Sequence, residues 1–142
     1  MIKQISIFLE NKCGRLVRVT QILGKNKINI RALTIADTSD FGILRIIVDN
    51  PEKAHKVLKD EGFIVTETDV VAVEVPDDPG GLAEVLGYFE EEDVNIEYLY
   101  SFVEKPAKDA LILMRLEDIE KGIKILKEKN VKIVEGDYIY SL

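Results

Sequence analysis

Apolar residues fall at alternate positions from Ile5 through Ile7 to Leu9, the period of a strand with one buried face. Between residues 15 and 25 the spacing changes, and Leu16, Val19, Ile22 and Leu23 lie on one side of a helix. Strand character returns at 28–36. The run GILRIIV at 42–48 is a third strand, apolar enough to be central in a sheet. Asn50 then supplies a helix cap and Pro51 the first helical position. Ala54, Val57 and Leu58 form the apolar stripe of this second helix, Gly62 its left-handed stop, and residues 63 onward return to strand character.

The pattern then starts again. An offset of 66 places Gly14 on Gly80, Leu16 on Leu82, Val19 on Val85, Asn29 on Asn95, Ile30 on Ile96 and Leu33 on Leu99. Beyond residue 41 the offset becomes 68, placing Glu52 on Glu120, Lys53 on Lys121, Leu58 on Leu126 and Asp69 on Asp137. A single change of offset carries the match to the C-terminus, the mark of an internal duplication. In the second copy Asp118 takes the cap position, and Asn130 replaces Gly62 as the next-best residue for that backbone shape.

The expected order is therefore β-α-β-β-α-β, twice. Right-handed crossovers put both helices of a copy on one face of a four-stranded antiparallel sheet, giving two ferredoxin-like α/β (α+β) sandwiches in tandem. The expected domains are 1–69 and 70–142. Residues 70–72 match 138–140, whereas 71–75 match 5–9, and no Gly/Ser linker separates the copies. One strand over about 64–75 is thus expected to be shared at the junction. The sheet face without helices is expected to be uncovered. Tyr98, Tyr100 and Phe102 alternate along a strand of the second copy and form an interface or core stripe, and with the uncovered faces this leads to the expectation of a homo-oligomer, a dimer at least.

Charge narrows the partners. The net charge is −7 with basic residues scattered, which argues against nucleic acid and anionic membrane, since phosphate affinity needs a concentrated basic face. No apolar run approaches the roughly 20 residues that span a bilayer. The opening MIKQISIFLENK has no secretory cleavage pattern. One cysteine and one histidine allow neither an internal disulfide nor a metal-ligand cluster. The expectation is a cytoplasmic protein without cofactor or metal, and not an enzyme.

Two strand-to-helix turns carry the candidate chemistry: ENKCGRL at 10–16 and PDDPGGL at 76–82. The first N–H groups of a helix lack internal partners and carry partial positive charge, and glycine lets a small anion approach the backbone closely. Gly14, and Gly80 with Gly81, sit where this geometry needs them, and Asn11 and Asp77 lie three positions before the shared glycine. Neither GxxxxGK[ST] nor GxGxxG is present, so a carboxylate-bearing metabolite fits better than a nucleotide. The loop ADTSD at 36–40 gathers Asp37, Thr38, Ser39 and Asp40, which would hold an ammonium group against a helix N-terminus of a neighbouring domain, or form an ordinary solvated turn. The matching stretch EKPAKD reads as plain surface. Cys13 is a small packing residue or a thiolate favoured by the helix end. His55 reads as exposed, and Arg45 and Arg115 interrupt apolar strands.

The pattern D-x-P-G-x-L in Asp77–Leu82, followed by V-N-I at Val94–Ile96, resembles that of ACT domains. N-x-C-G-x-L in Asn11–Leu16, with I-N-I at Ile28–Ile30, is a close variant that departs at Cys13, where proline is usual. The resemblance covers nearly the whole chain, as a tandem pair with no catalytic domain attached. It implies a small regulatory module that binds a free amino acid at an interface between two such domains. Carried over, the ligand would lie against Asn11, Cys13, Gly14, Arg15 and Leu16 with Asn29 and Ile30. The second copy would offer Asp77, Pro79, Gly80, Gly81 and Leu82 with Asn95 and Ile96. The alternative is a stand-alone regulatory or interaction subunit of a metabolic enzyme, which need not bind a metabolite.

Overall fold

The computed structural model describes residues 1–102 and 109–142. Two compact units are present. The first comprises residues 3–68 with 140–142, and the second residues 69–139 with 1–2.

In the first unit the elements are β1 (Ile2–Glu10), α1 (Arg15–Lys25), β2 (Ile30–Asp37), β3 (Phe41–Val48), α2 (Pro51–Asp60) and the leading part of β4 (Ile64–Val75). Strand order is β2-β3-β1-β4, and β1 and β2 are both antiparallel to β3. Ile5, Ile7 and Leu9 of β1 and Leu44, Ile46 and Val48 of β3 face the same way. There they form one core with Val19, Ile22 and Leu23 of α1 and Ala54 and Leu58 of α2. Both helices therefore lie on one side of the sheet, as the two apolar periods require.

The second unit repeats this with the trailing part of β4, α3 (Gly81–Glu91), β5 (Ile96–Ser101), β6 (Ala110–Leu116), α4 (Ile119–Glu128) and β7 (Ile133–Val134). Its order is β5-β6-β4, with β7 on the other side of β4. The core joins Val71, Val73 and Val75 to Val85, Phe89, Ile125 and Leu126. The tandem βαββαβ architecture with antiparallel sheets and helices on one face is the one the sequence predicts.

The local signals act as the residue types require. Asn50 Oδ1 accepts from the Lys53 N–H at 3.2 Å, and Asp118 Oδ1 from the Lys121 N–H at 3.1 Å. Gly62 and Asn130 both stop their helices at positive φ, +92° and +59°. The duplication also preserves a contact hidden from patterning: Lys53 Nζ donates to the Asn26 carbonyl, and Lys121 Nζ to the Glu92 carbonyl, both at 2.7 Å. In each copy the second helix thus places a cation at the carbonyl end of the first, where the dipole favours it.

Two expectations change. Residues 138–140 match strand residues 70–72, yet they belong to a short helix, α5 (Gly136–Tyr140). Val71 and Ala72 stay in a strand because β6 pairs with them. The helix-free sheet face is also not uniformly open. In the second unit Val70, Ala72, Leu111, Leu113 and Tyr100 are buried, and Tyr98 and Phe102 are half-buried. Of the two roles its alternation allows, the aromatic strand is thus closer to a core stripe than to an open interface stripe. On this face, exposed apolar side chains lie instead in the first unit, at Phe8, Phe41 and Ile43.

Candidate ligand-binding site

Both turns close as the glycines predict. Gly14 and Gly80 take φ of +90° and +85°, a conformation costly for any residue with a Cβ, and each is the N-cap of its helix. No side chain caps either helix. Among the described residues the N–H groups of Leu16 and Val17 in α1, and of Leu82 and Ala83 in α3, make no backbone hydrogen bond. Asn11, Cys13, Gly14, Arg15 and Leu16 are all exposed, as are Asp77, Pro79 and Gly80. Each turn thus presents free amides to solvent.

The first turn and the 37–40 loop meet within one unit. The Asn11 N–H donates to the Asp40 carbonyl at 2.8 Å, and its side-chain amide to the carbonyls of Thr38 and Ser39 at 3.4 and 3.3 Å. Asn11 therefore ties the turn to the loop with the donors it would otherwise offer a ligand. Thr38 is spent on the loop too: its N–H donates to the Phe41 carbonyl at 2.7 Å, and its hydroxyl bonds the same residue. The carboxylates of Asp37 and Asp40 remain exposed, without an ion pair among the described residues. On the other side of the turn, Glu10 receives Lys12 at 2.8 Å and Arg15 at 3.2 Å. Lys12, by hydrogen bond and charge, and then Arg15 hold the Glu10 carboxyl below its ordinary value.

The second turn is built differently. Gly81 is buried, and a Cβ there would overlap the Pro76 carbonyl oxygen, so backbone packing by itself requires glycine at this position. Its N–H closes the turn on the Asp78 carbonyl at 2.9 Å. Leu82 is half-buried against the core. The EKPAKD stretch lies outside the described residues, apart from Asp109.

The strand-2 residues stand apart from the turns. The Asn29 N–H donates to the Asp49 carboxylate at 3.0 Å and its carbonyl accepts the Asp49 N–H at 3.1 Å, leaving the Asn29 side chain exposed. The Asn95 carbonyl likewise accepts the Glu117 N–H at 3.0 Å. Ile30 and Ile96 pack partly into the cores. Register fixes their distance from the turns. Glu10, before the first turn, pairs with Phe41 at one end of β3, whereas Ile30 pairs with Val48 at the other. Seven residue steps along β3 separate them, roughly 23 Å at about 3.3 Å per residue. In the second unit Val75 pairs with Ala110 and Ile96 with Leu116, so six residue steps along β6, roughly 20 Å, separate them. Within either unit the helix-1 turn and the strand-2 start cannot line one small-molecule site.

Sequence reasoning missed a cavity of about 460 Å³ in the first unit, whose walls include Phe8, Phe41, Phe63 and Arg15. Aligning the copies carries the signal for it, because Phe8, Phe41 and Ile64 match Glu74, Asp109 and Lys132. Among the described residues no group of His, Cys, Asp and Glu is arranged to hold a metal, and no helix is long and apolar enough to cross a membrane.

Comparison with known proteins follows the architecture. No curated protein matches the sequence. The crystal structure of a protein from Bacteroides thetaiotaomicron is 50% identical, with a TM-score of 0.93 over 99% of this chain and 96% of that one. The ligand-free regulatory subunit of aspartate kinase from Thermus thermophilus shares the fold at 14% identity. Its TM-score is 0.65, over 89% of this chain and 91% of that one. The corresponding subunit from Thermus flavus, 16% identical, gives 0.63 over 88% of each chain. The family described as the ACT domain pair matches residues 1–142 in full. With the duplicated βαββαβ units and the paired glycine turns, that match makes this chain a member of the ACT domain pair family.

Proposed function

We propose that this ACT domain pair is a non-catalytic, cytoplasmic regulatory protein that binds a free amino acid where ACT domains of two copies of the chain meet. The observation that carries the reading is the register separation. Two sets of exposed ligand-competent groups lie at opposite ends of each unit, so a site using both must draw them from different domains. The free amides of α1 or α3 take the α-carboxylate of the ligand. Asp37 and Asp40, or carbonyls of the opposing domain, take its ammonium. Both charges must be matched, because a buried charge left unpaired costs several kcal/mol. Binding then favours one arrangement of the two chains, and a partner enzyme reads that arrangement.

A thermal-shift screen of the twenty amino acids tests this. One of them is expected to raise the melting temperature, while its decarboxylated and N-acetylated analogues do not. Equal stabilisation by those analogues, or none by any amino acid, contradicts it. The second reading is an interaction subunit of a metabolic enzyme that needs no metabolite. It draws support from the exposed apolar side chains of the first unit and from fold neighbours that are regulatory subunits of aspartate kinase.

A further inference from the structure

The cavity in the first unit lies at the ends of β1 and β3, between the start of α1 and the turn from α2 into β4. Phe8 and Phe41 form its aromatic wall, their rings stacked at 5.0 Å between centroids and 24° between planes. Both rings stay 43% and 44% exposed, so they meet each other and solvent rather than the core. Phe63 and Ile64 extend the apolar lining, and Ile64 is 66% exposed. The charged rim is Glu10, Arg15 and Glu61. Both carboxylates already have cations: Glu10 has Lys12 and Arg15, and Glu61 has Arg18 at 2.8 Å. Arg15 in turn spends one donor, at 3.2 Å, of the five that a guanidinium carries. The unmet demand at the rim is therefore for an anion, with no call for an ammonium. The volume, about 460 Å³, lies within the range of small-molecule pockets, which are apolar with a few polar groups that orient the ligand.

We propose that this cavity is a second, self-contained binding site for a small carboxylate with a flat or branched apolar body. The body lies over Phe8 and Phe41, and the carboxylate pairs with Arg15. The site needs one unit of one chain and does not rest on the interface reading above. Its counterpart in the second copy is closed to such a ligand. There Glu74 and Asp109 stand for the two phenylalanines, Lys132 for Ile64 and Gly81 for Arg15. Lys132 and Glu74 neutralise each other at 3.1 Å.

The test is calorimetric titration of the full chain with 3-phenylpropionate, set against 3-phenylpropylamine. Saturable binding of the acid and none of the amine is expected. Phe41→Asp, which installs the residue of the second copy, and Arg15→Met are each expected to weaken the acid at least about tenfold, for loss of a ring contact or of a charge-assisted hydrogen bond. Circular dichroism should show both variants folded, since both side chains are exposed. Phe41→Asp should leave stabilisation by a free amino acid unchanged, which separates this site from the interface site. Absence of binding to the folded wild-type chain overturns the proposal, as does affinity in both variants equal to that of the wild type. So does a result in which Phe41→Asp turns a dimer into a monomer by sedimentation while the acid never binds, because the face then belongs to a second copy.

Discussion

The two copies agree in what shapes the backbone and disagree in what they show to solvent. Each starts its first helix from a glycine at positive φ, caps its second with Asn50 or Asp118, and closes the first with a lysine from the second. At the mouth of the sheet they part. The first copy stacks Phe8 on Phe41, and the second pairs Glu74 with Lys132. The turns divide in the same way, for Arg15 carries a side chain where Gly81 has no room for one. Duplication has kept the groups whose loss would cost folding and released those whose change costs little, so the surfaces are free to take different ligands or partners.

The largest expected effects concern what is shared. Leu58 and Leu126 are both fully buried at matching places, so Leu58→Ala and Leu126→Ala should each cost about 2–5 kcal/mol. Because β4 contributes to both units, each substitution is expected to lower a single unfolding transition in urea. Two transitions, with only one moved by each mutation, would divide the copies energetically. Gly81→Ala should follow at about 1–3 kcal/mol, since its Cβ must displace the Pro76 carbonyl. Arg15→Ala, at the matching place, should change stability by at most about 0.5 kcal/mol. Equal costs at the two positions would erase the distinction drawn between the turns.

Much of this was legible in the sequence, because it depends on short-range patterning. Period-two and helical spacing, Asn50 before Pro51 and the offset repeat led to the fold, and D-x-P-G-x-L led to the family. What escaped depends on distant partners. Asn11 looked like a ligand group, yet its amide is turned onto Thr38 and Ser39, 27 and 28 residues away. The stack of Phe8 on Phe41 needs the β1–β3 register, which no local period reveals. Tyr98 and Tyr100 alternate as an interface stripe would, but alternation names a face without saying whether that face is covered.

Two smaller effects sharpen the contrast between the turns. Asn11→Ala should cost about 0.5–1.5 kcal/mol by freeing the 37–40 loop, seen as faster amide exchange at Asn11 and Phe41. The last effect is one of pH and belongs to the first copy alone, since Pro76 stands where Glu10 would be. Lys12 and Arg15 lower the Glu10 pKa in the folded state. Its contribution is therefore complete above the unfolded carboxyl's pKa and is lost as pH falls through the lower folded value. Thermal melts from neutral to acid pH should show a slightly steeper loss for the wild type than for Lys12→Met.

The interface reading is tested most directly by mixing two inactive variants. Gly14→Asn with Gly80→Asn fills the open space at both turns, where asparagine tolerates the left-handed backbone. Asn29→Trp with Asn95→Trp obstructs both strand-2 starts from exposed positions. Neither double variant should bind the amino acid that stabilises the wild type, although both should remain folded by circular dichroism. After unfolding and refolding together, mixed dimers contain one intact combination, the turn of one chain with the strand of the other, and calorimetry should recover binding. A mixture as inactive as its components would mean that the turn and the strand start never share a ligand across chains.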